Sequence, residues 1–446
     1  MTGEAQLEEG AEVIRDVTCP VCGASCDDIE VTVKENKIIG VRHACRMGAA
    51  KFFETSSGRR LKKPMIRVNG DLREVTWEEA IGKAARILVD AKKPVLFGWA
   101  ETSCEALRVG IQITEEIGGV MDNCSSICHA PSILAIQKVG ISSCTLGEVK
   151  NRADLIIYWG SNPQASHPRH LSRYTTYPRG RFRERGRQDK EIIVIDVRES
   201  DTAKIADWYV QVKPNSDYEI FAALRAIVNG NEIYQDEVGG VSRDDLYKLA
   251  EKMMSCQFGA LYFGLGIASS VGKSRNIENA IRLVIDLNRH TKFIIQAMRG
   301  HYNVAGTNQV LTWQHGFPYA VDFSKGYPEY NPGDTSVIDI LARKEADAIL
   351  VIAADPGAHF SRSAVERMAE IPIIAVDVVE NPTTLLADVV LPGVMVGTES
   401  EGTCYRMDDV PIPLRKVVDP VVDYVKSDTE LMEKLYERIM KIKGST

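Results

Sequence analysis

Short apolar runs, each bounded by glycine, proline or polar residues, recur along the chain from residue 94 onward. Runs of this length and composition are typical of buried β-strands. Between them lie stretches with apolar residues at helical spacing, the clearest running from Ser103 to Ile117 and ending at a Gly-Gly pair. The predicted strands are Pro94–Trp99, Ala153–Trp159, Glu191–Arg198, Gly259–Gly264, Lys292–Met298, Ala346–Ala353 and Ile371–Asp377.

The alternation of strands and helices predicts the fold class. Strands that are apolar along their whole length are buried on both faces, as in parallel sheets covered by helices. We therefore expect an α/β protein with parallel-sheet, Rossmann-like domains. Such sheets bind ligands beyond the carboxyl ends of their strands. The polar loops after Trp159, Asp196 and Met298 are the expected binding loops, and no complete P-loop spacing occurs among them.

The pattern before residue 60 is different, because cysteines replace the apolar runs. Two alternating segments, 28–34 and 37–42, predict a hairpin that turns at Glu35-Asn36. This hairpin would return a fourth cysteine to the three that precede it. Four thiolates on short loops suit an iron–sulfur cluster or a structural zinc ion, and the spacing favours a [4Fe–4S] cluster. The four cysteines are Cys19, Cys22, Cys26 and Cys45.

Composition and charge exclude several classes of protein. A length of 446 residues predicts two or three domains, and 44% apolar with 26% charged residues is typical of a soluble globular protein. The net charge of −7 gives no reason to expect nucleic acid. The polar start has no signal-peptide pattern, and no run approaches the ~18 apolar residues of a membrane span. Ten cysteines in a chain expected to be cytoplasmic indicate metal or redox chemistry rather than disulfides.

Cys128 and His129 stand just ahead of Pro131 and a predicted helix from Ser132 to Val139. A helix dipole favours a thiolate or a bound anion at this end. An easily ionised Cys beside a His that can move protons indicates either a nucleophile or a metal ligand with a proton relay. By itself, however, such a pair in a loop is more often structural.

The order of these motifs resembles a known family. Six motifs occur in the same order as in the molybdenum- and tungsten-dependent formate dehydrogenase superfamily of molybdopterin oxidoreductases. They are the four-cysteine block, the Cys-His loop, Gly160-Ser-Asn-Pro, an Ile-Asp-Val-Arg/Lys-Pro-Asn-Ser-Asp pair, the segment from Met298 to Gly306 and Ala387-Asp-Val-Val-Leu-Pro. Within it, the Cys-His-Ala-Pro-Ser loop and the end of the chain near residue 446 resemble the B subunits of formylmethanofuran dehydrogenases. These lack the C-terminal β-barrel cap domain, which is a separate subunit.

The resemblance implies a domain plan. Residues 1–60 would form a small N-terminal iron–sulfur domain. Residues 61–135 together with 300–446 would form a pterin-binding α/β domain that carries the metal-ligand loop. Residues 136–299 would form a second α/β domain for the pterin guanine dinucleotide.

The resemblance also implies cofactors and residue roles. The cofactors are a [4Fe–4S] cluster and tungsten or molybdenum bound by a bis(molybdopterin guanine dinucleotide) and a sulfido ligand. Cys19, Cys22, Cys26 and Cys45 would ligate the cluster. Cys128 would ligate the tungsten or molybdenum, and Arg299 would hold the substrate carboxylate. His129 would transfer the proton of the reaction. The implied cofactor-binding residues are Ser161, Asn162, Asp196, Asp217, Gly300 and His301.

The implied reaction is the reduction of CO2 to formate, the first step of methanogenesis from CO2. Formate would pass to an amidohydrolase subunit that formylates methanofuran, and ferredoxin-like subunits would supply electrons. Two alternatives remain: another formate dehydrogenase or oxidoreductase of the superfamily, and a non-redox scaffold subunit of a formyltransferase/hydrolase complex. The sequence departs from the formate dehydrogenase pattern at Met47, where a lysine usually lies between cluster and pterin. Arg46 or Lys51 would have to replace that lysine.

Overall fold

The seven predicted apolar strands are confirmed, and they are divided between two sheets. The structure is a computed structural model that describes residues 9–444, so residues 1–8 of the polar start lie outside it. Contacts within the chain define two units. The first comprises residues up to 126, 301–406 and the chain from 411 onward; the second comprises 127–300 and 407–410. The finer three-domain plan stays a prediction.

The second unit is built on a five-stranded sheet in which every neighbouring pair is parallel. One face packs Trp159, Leu261 and Phe263 into a large apolar core with the helices. The opposite face presents Tyr158 and Tyr262, which are neighbours in register. In spatial order the strands are Trp208–Gln211, Glu191–Asp196, Leu155–Trp159, Phe258–Phe263 and Lys292–Ala297.

The helices of the second unit alternate with its strands, as the sequence pattern predicts. The most amphipathic of them, Ser274–Leu287, packs against Ala130–Val139 and Asp217–Val228. The helix predicted from Ser132 begins earlier, at Ala130, with Pro131 in its first turn. The helices are Ala130–Val139, Leu146–Arg152, Pro163–Ser166, Pro168–Arg173, Asp217–Val228, Arg243–Ser255, Leu265–Ala268 and Ser274–Leu287. The short pair Glu237–Val238 and Val241–Ser242 completes this unit.

The first unit is built on a nine-stranded sheet with a parallel centre and antiparallel edges. Three of its central strands, Pro94–Gly98, Ala348–Ile352 and Ile373–Asp377, match predicted strands, whereas the parallel strands on either side of them were not predicted. Edge strands that are short and partly exposed lack the apolar pattern. In spatial order the strands are Glu329–Tyr330, Val321–Asp322, Val120–Asn123, Pro94–Gly98, Ala348–Ile352, Ile373–Asp377, Val389–Pro392, Met65–Val68 and Asp71–Glu74.

Helices surround this sheet. The last of them, Asp428–Lys443, begins at the N-cap Ser427 and packs against Trp77–Asp90 and Cys104–Glu116. The helices are Arg46–Phe53, Trp77–Asp90, Cys104–Glu116, Val304–His315, Val337–Ala342, Pro356–His359, Arg362–Met368, Pro382–Leu386 and Asp428–Lys443. A separate hairpin pairs Gly402–Tyr405 with Pro411–Leu414.

The predicted N-terminal hairpin is confirmed as part of a three-stranded antiparallel sheet. Its strands are Glu12–Val17, Ile29–Lys34 and Lys37–Arg42. The turn residues Glu35 and Asn36 have φ of 48° and 59°, as a two-residue turn with left-handed backbone requires. Across the described part of the chain, no helix has both the length and the apolar character needed to cross a membrane.

Candidate active site and cysteine cluster

The segment that leads to Cys128 begins at a fixed strand end in the first unit. Asp122 is fully buried at the end of Val120–Asn123 and accepts hydrogen bonds from the backbone N–H groups of Asn123 and Val337, both at 2.8 Å, and from the Ser126 hydroxyl. Burial raises the pKa of Asp122 to about 6, against the effect of these donors. The network holds the turn from which the candidate metal loop departs.

Cys128 and His129 follow in the second unit. His129 is buried, and its Nδ1 lies 3.3 Å from the Ser132 hydroxyl. Burial, reinforced by the nearby Arg299 guanidinium, lowers the pKa of His129 to about 4, so its ring is neutral at pH 7. Burial raises the pKa of the Cys128 thiol to about 11, although Arg299 opposes this shift. The expectation that the helix dipole makes this thiol easily ionised is therefore wrong, because burial outweighs it.

Arg299 follows the strand Lys292–Ala297, and its side chain is 13% exposed. It acts electrostatically on both Cys128 and His129, so the structure brings together the three residues implied as catalytic. The Nη1 atom of Arg299 lies 3.8 Å from a carboxylate oxygen of Asp409. The site therefore combines a soft thiol, a neutral imidazole and a cation in one unit.

His167 is a site residue that the sequence reasoning missed. Its Nε2 lies 2.7 Å from the backbone carbonyl oxygen of Arg299. A carbonyl only accepts, so Nε2 carries the proton and donates, while Nδ1 lies 2.8 Å from the Ser166 hydroxyl. Its place directly after the Gly160-Ser-Asn-Pro loop is the signal that could have indicated it.

His170 is a second missed histidine, completely buried behind the same loop. Its ring packs edge-on against Tyr262 at 4.8 Å between centroids, and neither ring nitrogen has a hydrogen-bond partner in the described residues. Burial lowers its pKa well below the usual value, with a smaller contribution from His167. The ring is therefore neutral.

The predicted nucleotide loops lie at the carboxyl end of the five-stranded sheet. Asn162 accepts a hydrogen bond from the Thr202 hydroxyl at 2.7 Å, which joins the loops after two adjacent strands. Asp217 accepts from the Trp159 indole at 2.9 Å, and burial raises its pKa, with Asp196 adding to the shift. Ser161 is buried beside them.

Glycines make a narrow cradle at this edge. A Cβ on Gly264 would lie 2.8 Å from the carbonyl oxygen of Gly160, and a Cβ on Gly266 would lie 2.6 Å from the Cα of Gly160. Only glycines allow these two loops to approach so closely. The two loops therefore lie against each other at the sheet edge where this kind of fold binds its ligands, which fits a nucleotide there.

The four N-terminal cysteines are brought together in the first unit. Burial raises the pKa of Cys19 well above its usual value, and the thiols of Cys22, Cys26 and Cys45 raise it further. A Cβ on Gly48 would lie 2.9 Å from the Sγ of Cys19 and 3.8 Å from that of Cys45, so glycine leaves space beside the thiols. Neutral thiols crowded in this way become stable as thiolates when they bind iron or zinc.

Among residues 9–444, no group of three or more His, Cys, Asp and Glu side chains is placed to hold a single metal ion. The choice of an iron–sulfur cluster over zinc therefore stays a prediction from the cysteine spacing.

The remaining predicted residues are Gly300 in the second unit and His301 in the first. A Cβ on Gly300 would meet no other atom within 4 Å, so this residue borders open space. His301 is half-exposed, pairs through its backbone with Cys22, and has its Nε2 3.9 Å from Glu101. Glu101 also raises the pKa of Lys51, the residue considered as a substitute for the lysine missing at Met47.

A parallel sheet covered by helices, with a thiol, an imidazole and a guanidinium grouped in the same unit, identifies the chain as an α/β protein with a candidate active site. The family model for molybdopterin oxidoreductases matches residues 60–438. Two relatives are tungsten-containing formylmethanofuran dehydrogenase 2 subunits B. The one from Methanocaldococcus jannaschii is 51% identical over 97% of this chain and 99% of its own length. The one from Methanococcus maripaludis is 47% identical over 97% and 100%. The chain belongs to the molybdopterin oxidoreductase family and, within it, to the formylmethanofuran dehydrogenase B subunits.

Solved structures agree on the fold. A chain of the formyltransferase/hydrolase complex from Methylorubrum extorquens is similar with a TM-score of 0.69 and 19% identity over 86% of this chain and all of that one. Acetylene hydratase from Pelobacter acetylenicus gives a TM-score of 0.72 and 12% identity over 96% of this chain and 69% of that one. These structures confirm the predicted α/β fold, whereas the family model and the two relatives confirm the assignment to an oxidoreductase family.

Proposed function

We propose that this chain is the redox subunit of a formylmethanofuran dehydrogenase and that it reduces CO2 to formate. The observation that carries the proposal is the convergence of Cys128, His129 and Arg299 in one unit, although Arg299 is remote from the other two in sequence. The tungsten-containing relatives support the choice of reaction and metal.

Cys128 would be the protein ligand of a tungsten or molybdenum ion that is otherwise held by a bis(molybdopterin guanine dinucleotide) and a sulfido ligand. A soft thiolate suits this class of metal, and binding would displace the thiol proton that burial now retains. The bound centre supplies two-electron redox chemistry at a single metal ion. Tungsten is favoured over molybdenum because both relatives are tungsten-containing enzymes.

Arg299 would bind the carboxylate oxygens. Its planar fork can donate two parallel hydrogen bonds, and its low exposure strengthens them by excluding water. The negative charge on the two oxygens grows as CO2 gains two electrons and one proton and becomes formate. Arg299 therefore stabilises the product-like state more than neutral CO2, which is the requirement for catalysis.

His129 would hold the proton of the reaction. Its ring is neutral at pH 7 because burial and Arg299 disfavour the charged form, so one ring nitrogen can donate and the other can accept. The adjacent Ser132 hydroxyl orients Nδ1. Its position beside Cys128 places this proton next to the proposed metal ligand.

The four N-terminal cysteines would hold a [4Fe–4S] cluster that carries electrons to the metal. The grouping of the thiols and the space beside Gly48 support this assignment. Lys51 would provide the positive charge on the cluster helix that Met47 cannot supply. Lys51 lies on the same helix face as Met47, and carboxylates including Glu101 and Glu54 keep it protonated.

The loops at the carboxyl end of the five-stranded sheet would hold the guanine dinucleotide ends. The glycines bring two of these loops together at the sheet edge, and the carboxylates of Asp196 and Asp217 can accept from guanine N–H groups. Ser161 and Asn162 lie in the same loop and would contact the nucleotide as well. Gly300 and His301 would border the pterin.

Formate would leave for an amidohydrolase subunit that joins it to methanofuran. Another subunit would supply a β-barrel cap, ferredoxin-like subunits would deliver electrons, and the complex would work in the cytoplasm. The relatives are named as B subunits, which supports a role in an assembly.

The experiment is an anoxic analysis of the purified native complex. Tungsten or molybdenum at about one per chain, two pterins per metal and four cluster irons assigned to this subunit are expected, together with CO2 reduction by a low-potential dye. The C128A variant should lose metal, whereas substitution of the partly exposed Cys144 should not. Zinc alone, without pterin or iron, would refute the proposal and leave the scaffold role.

A further inference from the structure

A carboxylate of this chain already faces the proposed substrate-binding cation. The Oδ1 atom of Asp409 lies 3.8 Å from Nη1 of Arg299. This distance is longer than a direct hydrogen bond, so the pair is ionic and loose. A carboxylate carries the same two oxygens and the same charge as formate.

Asp409 reaches this position from a four-residue segment, 407–410, that belongs to the second unit although the chain on either side belongs to the first. Neighbouring residues tie the segment to the second unit. Gln296 donates from Nε2 to the carbonyl oxygen of Met407 at 3.2 Å, and the backbone N–H of Leu146 donates to the carboxylate of Asp408 at 2.6 Å. Asp409 itself has φ of 60°, a left-handed backbone that Asp tolerates. The segment is therefore placed by several contacts beside Arg299.

The two members of the pair differ in freedom. Arg299 is 13% exposed, and His167 holds its backbone carbonyl at 2.7 Å. The Asp409 side chain is 46% exposed. A half-exposed carboxylate at a long distance can rotate into water, whereas a guanidinium that is largely enclosed by protein has less freedom to move.

We propose that Asp409 competes with formate for Arg299, so that the two carboxylates exchange on one guanidinium. This inference rests on the proposed function. While formate is bound, Asp409 turns to solvent; as formate departs, Asp409 returns and pairs with the cation. No bond forms or breaks in the exchange, and each state places one carboxylate on Arg299.

The exchange makes product release easier. A buried guanidinium without an anion is unfavourable, which would retain formate in the site. Asp409 offers a replacement at a reduced desolvation penalty, because its carboxylate stays partly in water. Asp409 is thus a positioning residue that sets affinity for the anion and leaves the chemical step to others.

The test compares D409N, which removes the charge and keeps the size, with D409E, which keeps the charge. The matched control is D201N, since Asp201 is an exposed partner of a cation, Lys204, at 2.8 Å in the same unit. The purified holo-complex is titrated with sodium formate in a calorimeter without an electron carrier. Rates of CO2 reduction and formate oxidation are then measured separately.

We expect D409N to bind formate about threefold to tenfold more tightly, as the loss of a partly screened competing charge implies. Its KM for formate should fall, and added formate should inhibit CO2 reduction more strongly. D409E and D201N should behave as the parent complex. Unchanged or weaker formate binding by D409N would refute the exchange while leaving the proposed function intact. A parent complex that neither binds formate nor reduces CO2 would refute both.

Discussion

Replacement of Arg299 tests the chemistry of the site most directly. The guanidinium is largely shielded from water, and the backbone of Arg299 is held by bonds that do not involve its side chain: His167 donates to its carbonyl oxygen at 2.7 Å, and its N–H donates to the carbonyl oxygen of Ala297 at 3.1 Å. Substitution at residue 299 therefore leaves the local backbone in place. R299K keeps the charge and loses the planar fork, whereas R299M loses both.

The expected magnitudes follow from the bonds that are lost. A hydrogen bond to a charged group contributes about 1.5–3 kcal/mol, so the loss of one arm of the fork in R299K should lower kcat/KM by roughly 10- to 150-fold. Removal of the cation in R299M takes away both bonds and the charge. This variant should lose about a thousandfold or more, as when preorganised electrostatic stabilisation is deleted.

The assay is CO2 reduction by the purified complex with a reduced low-potential dye, at several CO2 concentrations. Metal, pterin and iron contents are measured on the same samples, and they should equal those of the parent. An R299K complex with full metal content and unchanged kcat/KM would refute the role given to Arg299. Loss of metal in R299K would instead make Arg299 a structural residue of the cofactor site.

Three further predictions concern stability, each followed through thermal unfolding of the purified complex. E399A should destabilise the first unit by about 3–5 kcal/mol, because it leaves the guanidinium of Arg60 buried without the carboxylate that now accepts from it at 2.9 and 2.7 Å; a midpoint within a degree of the parent would contradict this. G110A should lower the midpoint or abolish folding, since its Cβ would lie 2.1 Å from the ring of the buried Trp99. H170F should weaken the loss of stability on acidification. The pKa of His170 is lowered in the folded protein, so below about pH 6.5 the unfolded chain binds a proton that the native chain does not. The stability of the parent is therefore retained above that pH and lost as the pH falls. An unchanged pH slope in H170F would refute this reading.

The parts of the fold that were predicted are those that local pattern determines. Ala348–Ile352 is apolar along its whole length and Lys292–Ala297 has an apolar centre, and a strand buried on both faces requires that pattern wherever it lies. The turn at Glu35-Asn36 was predictable from the sequence because a left-handed backbone favours residues such as asparagine. The short edge strand Asp71–Glu74 was not, because it is held by pairing with its neighbour and has one half-buried residue.

The candidate site was predicted in part, because only some of its residues belong to local sequence motifs. Cys128, His129 and Arg299 were predicted from a family motif, and the structure brings them together. His167 and Asp409 were not, because each acts through a contact with a residue far away in sequence, and a single sequence records no such pairing. The pKa of Cys128 was misjudged for the same reason: the helix start is visible in the sequence, whereas burial by distant segments is not.

The charges of these residues explain why they occur as a set. At pH 7 burial keeps the His129 ring uncharged, with a pKa of about 4, and the charge of a Cys128 thiolate would be neutralised by the metal ion that it binds. Arg299 then contributes a positive charge that the side chains of Cys128 and His129 do not offset, and Asp409 provides the nearby opposite charge. A second fixed cation would bind formate too tightly to release it, and a charged His129 would act as one. The neutral imidazole and the movable carboxylate therefore act together on the affinity of the site for an anion. With both present, Arg299 stabilises the negative charge that CO2 gains on reduction and still releases formate.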